Sequence, residues 1–312
     1  MTTRRTAHHR TILAASLTCL CMASSGCSDE QSGSGSLRFY ISGEGPARDG
    51  YPFTKDGFEL VFDEGWSIQF HHMVASVGRL RVATTDGEVA YDGQDTYLAE
   101  LTTGDPVVLD LDDLTARRWD ALDVQVVPAQ DDAVLVNDVD AAIAETMRFD
   151  GLTYYYEGTA ERDGMSFDFR FGLANPTRNT SCTNGNDDTQ GVVVQNGSVT
   201  ETELTIHLDH MFWDTLGSQQ FLMRFDAMAA ADDAAVGGDG DHVITLDELA
   251  AQRLSDLKGL DGAPLVDASG AAIVYDPGTT PLSEPTLRGF VLASTATQLH
   301  INGLGFCTIE AL

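Results

Sequence analysis

The chain has 312 residues, 43% of them hydrophobic, enough for one large core or two smaller ones. Its 48 acidic residues face only 18 basic ones, a formal net charge of −30. Such a polyanion repels nucleic acid and anionic lipid headgroups, which excludes them as charge-held partners, and it attracts cations.

The N-terminus stands apart. Arg4, Arg5 and Arg10 form a basic n-region, and Thr11 to Ala23 is an apolar run too short for a dedicated membrane span. It ends in Ser24-Ser25-Gly26-Cys27, an order that resembles the lipobox of bacterial lipoproteins. The resemblance implies a signal peptide over 1–26, acylation at Cys27, and a bacterial cell envelope protein facing the periplasm or the outer surface. Residues 27–36 then read as a flexible tether. Removing three arginines leaves 15 basic residues against 48 acids, a mature charge of about −33. Cys19 and Cys21 leave with the signal and Cys27 takes the lipid. Cys182 and Cys307 remain, and in an exported protein they most simply form one disulfide. It closes a loop of about 125 residues, worth ~5 kcal/mol in the chain-entropy model.

Strand signals dominate the rest. Residues 36–42 (SLRFYIS), 58–64, 66–82, 107–111 and 119–128 carry β-branched and aromatic residues at alternating positions and make an N-terminal β region over 37–130. The C-terminal β region, 131–312, opens with a short helix over 140–147. Hairpins are expected over 153–171, around Asp163-Gly164, and over 192–208, around Asn196-Gly197. Residues 225–235 and 246–260 have helical spacing, the second with Leu246, Leu249, Leu254 and Leu257 near one face. A further helix is expected over 283–299, with Ser283 as its N-cap. The pattern predicts a mainly β protein of antiparallel, sandwich-like strands with a C-terminal helical, EF-hand-like appendage at about 225–260.

The appendage holds GGDGDHVITLDEL, residues 237–249. With Ile244 at position 8 of a calcium loop, Asp239 falls at position 3, Asp241 at 5, the Val243 carbonyl at 7, Thr245 at 9 and Glu248 at 12. All offer oxygen to a hard cation. Two positions depart from the pattern. Gly237 occupies position 1, where an aspartate anchors the ion, and His242 occupies position 6, where glycine makes the turn. Asp232 or Asp233, just upstream, is placed to swing in.

Histidines supply a different ligand set. His71 and His72 are adjacent on a strand and point to opposite faces. In TIHLDH (205–210), alternation puts His210 with Ile206 and Leu208, and His207 with Asp209. The segments SCTNGNDDTQGVVV (181–194), MFWDTLGSQQFLMRFDA (211–227) and LHINGLGFC (299–307), in that order, resemble the copper-binding MbnP family encoded beside methanobactin genes. LRFYIS and VASVGRLRVATTDGEV (74–89) also resemble that family's N-terminal strands. Closer still in pattern are uncharacterised bacterial lipoproteins that combine the HxDHxFWD segment with a hand-like insert. The MbnP resemblance implies a copper site using Trp213, His300 and one of His207 or His210, and it implies the Cys182–Cys307 disulfide. The sequence departs from the family at Thr215, where a second tryptophan is expected.

GxSxG, P-loop, HExxH and CxxC motifs are absent, which argues against an enzyme. The sequence therefore points to a lipid-anchored, exported metal-binding protein, with calcium as the first ion and copper as the alternative. A structural or protein-interaction lipoprotein without a metal is the second alternative. Its partners are a membrane, through the lipid, and metal ions.

Overall fold

Seventeen consecutive residues, Ser67–Ala83, form the longest strand, and the rest of the fold is arranged on it. The computed structural model describes residues 33–55, 57–218 and 220–312. The signal segment, Cys27 and the first residues of the tether lie outside them. The long strand pairs with Tyr154–Arg162, Thr96–Glu100, Ala121–Val126 and Val89–Asp92, all antiparallel. Its middle, MVASV, is apolar without alternation because both faces are covered. Met73, Ala75 and Val77 enter the main core, while Val74 packs beneath the helix Ala141–Asp150 with Ile143 and Met147.

The second sheet has four strands, in the order Leu299–Ile301, Val199–Ile206, Ser34–Ser42, Val107–Thr115. Ser34–Ser42 takes the expected strand two residues further back, to include Ser34 and Gly35, and runs parallel to Val199–Ile206. Leu37, Phe39 and Ile41, which alternate along it, are fully buried in the same core as Met73, Tyr154 and Phe169 of the larger sheet. The two sheets thus enclose one core, and the described residues from 33 to 312 belong to one compact unit. The mainly β reading holds. Pairing is mostly antiparallel, with parallel pairs at Ser34–Ser42/Val199–Ile206, Thr96–Glu100/Val134–Val136 and Met165–Leu173/Val243–Thr245.

The hairpin around Asp163-Gly164 forms as expected, Tyr154–Arg162 against Met165–Leu173. Both turn residues have positive φ, 51° and 82°, as a tight two-residue hairpin turn requires. The hairpin around Asn196-Gly197 does not form. Val192–Val193 pairs with Arg118–Trp119, and Val199–Ile206 goes to Ser34–Ser42, so the turn is made but its arms part. The helix expected over 246–260 stops at Leu249. Beyond it the buried Gln252 side chain donates to the carbonyls of Ala227 and Lys258 and accepts from Lys258 N–H, folding the chain back on itself. The last helix is Leu287–Thr295, capped by Thr286 and not by Ser283.

Cys182 and Cys307 form the expected disulfide, 125 residues apart in sequence, which fits an exported protein. No helix of the described residues is long and apolar enough to cross a membrane.

Candidate metal centre

Three neighbouring chain segments end together at one end of the four-stranded sheet. Ser42 lies beside Thr205, and Thr205 beside His300. Ser34–Ser42 runs into the short helix Glu44–Asp49, and Val199–Ile206 runs into a 3-10 helix, Leu208–Phe212. In a 3-10 helix side chains three apart eclipse. His207 and His210 therefore stack, with ring centroids 5.2 Å apart and planes 7° from parallel. The alternation expected for an extended strand is overturned here, since it placed the two rings on opposite faces. His300 meets both rings edge-on, at 4.6 Å from His207 and 5.5 Å from His210. Trp213 covers His210 at 3.8 Å and stacks on Phe221 at 3.9 Å. His207, His210, Trp213 and His300 are thus one cluster.

Hydrogen bonds fix the protons on the rings. His300 Nε2 lies 3.0 Å from the Thr297 carbonyl, which can only accept, so Nε2 carries the hydrogen. His300 Nδ1 is then a lone pair, and it is buried with no hydrogen-bond partner among the described residues. His210 Nδ1 lies 2.8 Å from the Thr297 hydroxyl, whose own hydrogen goes to the Ser294 carbonyl. His210 Nδ1 is therefore the donor, and Nε2 is its lone pair. His207 differs. Nε2 faces the Gly303 carbonyl at 2.7 Å and Nδ1 faces Glu44 Oε2 at 3.2 Å, with Asp209 Oδ1 at 3.9 Å. Both nitrogens face acceptors.

The electrostatics follow that division. Burial pushes the pKa of His210 well below its ordinary value, and the neighbouring His207 and His300 push it further. Burial, and then His207, lowers His300 to about 4. These two rings are neutral near pH 7. Burial also acts against the charged form of His207, but the hydrogen bond to Glu44 and the carboxylates of Asp209 and Glu44 outweigh it and raise its pKa. Glu44 is held low, chiefly by its hydrogen bond to His207. Asp209 accepts Trp213 Nε1–H at 3.0 Å, and its pKa is raised by burial against the pull of His207. One ligand atom each from His207, Asp209 and His210 lie within 4.8 Å of one another. Thr215, where the resembling family has a second tryptophan, bridges to Asp276 and accepts from Gly217 N–H. His71 bonds Thr159, His72 bonds Glu100, and His242 lies against Phe167, so none of these joins the cluster.

The hand-like loop lies elsewhere. Its strand Val243–Thr245 pairs with Asp168–Arg170 at the edge of the larger sheet, which buries Ile244. His242 adopts the left-handed φ of 66° that its position in a calcium loop demands. Asp232, and not Asp233, lies beside the other aspartates of the loop. Its carboxylate reaches within 4.8 Å of those of Asp239 and Asp241, and Asp232 Oδ1 accepts from His242 N–H at 3.0 Å. Residues between Asp232 and Gly238 loop out as a turn closed on the Asp233 carbonyl, which accepts from Val236, Gly237 and Gly238. Burial raises the pKa of Asp232, opposed by the His242 N–H, and Glu248 and Asp241 raise it further. Glu248 and Thr245 form a capping box, with Glu248 Oε2 accepting from Thr245 N–H at 2.7 Å and from its hydroxyl at 2.9 Å.

Sequence reasoning missed Glu44 and Thr297, whose contacts with His207 and His210 span 163 and 87 residues and leave no local signal. No family model matches the chain, and no curated protein matches it. Among solved structures, MbnP from Methylosinus trichosporium aligns over 88% of this chain and 97% of its own, at 11% identity and a TM-score of 0.30, an overlap too loose to carry an argument.

Proposed function

We propose that this is a lipid-anchored, exported metal-binding protein whose ion is copper, held by His210 and His300 beside Trp213. The observation that carries the reading is the pair of buried neutral imidazoles, each with one lone pair unclaimed among the described residues, that of His300 buried without any partner there. A buried acceptor left unpaired costs about 1–3 kcal/mol, which a bound ion would remove. Imidazole nitrogen suits both copper and zinc, and copper heads the affinity order for such ligands. Structural zinc is closed by four protein ligands. Here His207 is engaged by Glu44 and Gly303, and Asp209 by Trp213, which leaves two nitrogens and an aromatic wall. The envelope location rests on the lipobox-like Cys27 segment and on the disulfide.

The test is a thermal melt of chelator-treated protein with copper(I), copper(II), zinc and calcium added separately, read with tryptophan fluorescence. An ion at 100 times its Kd stabilises by about 2.7 kcal/mol if it binds only the native state. A copper-specific shift that disappears in His300→Gln, with quenching that disappears in Trp213→Phe, is expected. No shift with either copper ion overturns the reading. If calcium and zinc also leave the melt unchanged, a structural or protein-interaction role stands in its place.

A second reading, calcium at the hand-like loop, is favoured by Asp232. Its carboxylate joins those of Asp239 and Asp241 where Gly237 has no ligand to give, and a calcium loop draws its further oxygens from the positions that Val243, Thr245 and Glu248 hold here.

A further inference from the structure

Both lone pairs in the imidazole cluster depend on a single residue that no motif marks. Thr297 follows the helix Leu287–Thr295 and precedes the strand Leu299–Ile301. Its carbonyl accepts His300 Nε2–H at 3.0 Å, and its hydroxyl accepts His210 Nδ1–H at 2.8 Å. The hydroxyl is not free to reverse the second bond, because its hydrogen is committed to the Ser294 carbonyl at 2.8 Å. A hydroxyl with its hydrogen directed elsewhere is a pure acceptor, and a pure acceptor selects one tautomer of the ring facing it. The Ser294 carbonyl is itself fixed, being part of the last turn of a helix whose residues from Leu287 to Thr295 are mostly buried. The two rings belong to segments 90 residues apart in sequence, yet both take their orientation from one backbone position.

We infer that Thr297 is the positioning residue of this centre: its hydroxyl and carbonyl together set opposite tautomers on His210 and His300, so that His210 Nε2 and His300 Nδ1 are the nitrogens offered to a metal. The inference rests on the copper reading for its consequence but not for its geometry. Outer-shell partners of ligating histidines typically contribute 10–100-fold to metal affinity, because they hold the ring in the ligating tautomer and orientation.

Thr297→Val keeps the shape and removes the acceptor, while the carbonyl to His300 stays in place. Thr297→Ser keeps the acceptor and removes only a methyl. The experiment is imidazole nitrogen NMR on the purified full chain without metal, followed by copper(I) titration against a competing chromogenic chelator. In the unaltered protein His210 is expected with hydrogen on Nδ1 and His300 with hydrogen on Nε2. In Thr297→Val the His210 signals shift towards the Nε2–H tautomer, His300 is unchanged, and copper(I) affinity falls 10–100-fold. Thr297→Ser restores both. Thr297→Ala replaces Thr297→Val if the latter fails to fold, judged by its melt. Unchanged His210 tautomer and unchanged affinity in the acceptor-free variant overturn the positioning role alone. Failure of the unaltered protein to take copper(I) while the tautomers shift as expected overturns the copper reading, and the role in metal binding with it.

Discussion

Glu64 is a carboxyl placed where its charge is poorly served. Its side chain is 10% exposed, and its nearest cation, Arg224, already has better partners. Arg224 meets Asp214 at 2.8 Å and Asp63 at 2.9 Å, but Glu64 only at 3.5 Å. Burial, with Asp226 nearby, pushes Glu64 up to about 7, against the pull of the Phe225 N–H and Arg224. The native state thus holds this proton more tightly than the unfolded chain does. The stabilisation is fully present below about pH 4.5 and is lost as pH rises through about 7, a span that corresponds to about 3 kcal/mol. Glu64→Gln cannot ionise and keeps an oxygen for the Phe225 N–H. It should match the unaltered protein at pH 4 and exceed it by about 2–3 kcal/mol at pH 8. Urea unfolding of both proteins across that range measures the difference, and subtraction cancels the other titrating groups. A Glu64→Gln protein that is less stable at pH 8 would show that Arg224 outweighs burial, and the reasoning would fail.

Two further outcomes are expected. Cys182→Ser with Cys307→Ser, or reduction, opens a 125-residue loop and should lower stability by about 5 kcal/mol in the chain-entropy model; a loss under 1 kcal/mol by urea unfolding refutes that estimate. Asp232→Asn and Glu248→Gln should each weaken calcium binding at least about tenfold by calorimetry, as removal of a carboxylate ligand does. Binding unchanged in both rules the loop out.

What could be read in advance was local. The Asp163-Gly164 turn needs two left-handed residues in succession, and its sequence supplies them, so the hairpin was legible. Asn196-Gly197 carries the same signal, and Gly197 does adopt φ 71°, but strand pairing is decided by partners about 75 and 160 residues away. The leucine spacing over 246–260 predicts a helix that the buried amide of Gln252 interrupts. At the candidate metal centre the residue types were legible and their arrangement was not. His207 and His210 read as strand neighbours until the backbone tightens into a 3-10 turn, and period two becomes period three. Upstream, Asp232 and Asp233 were equivalent candidates in the sequence, and only the folded turn over Asp233–Gly238 brings Asp232 beside Asp239 and Asp241.

The strand Ser34–Ser42 sits inside its sheet, not at the edge, between partners that begin at Val107 and Val199. During synthesis it leaves the ribosome long before either. Val199, the partner of Ser36, follows it by 163 residues, on the order of ten seconds of translation at ordinary rates. For that interval a segment carrying Leu37, Phe39 and Ile41, all destined for the core, has one or both ladder faces open. The apolar face of this strand therefore has no parallel partner to close against until nearly two thirds of the chain has been made.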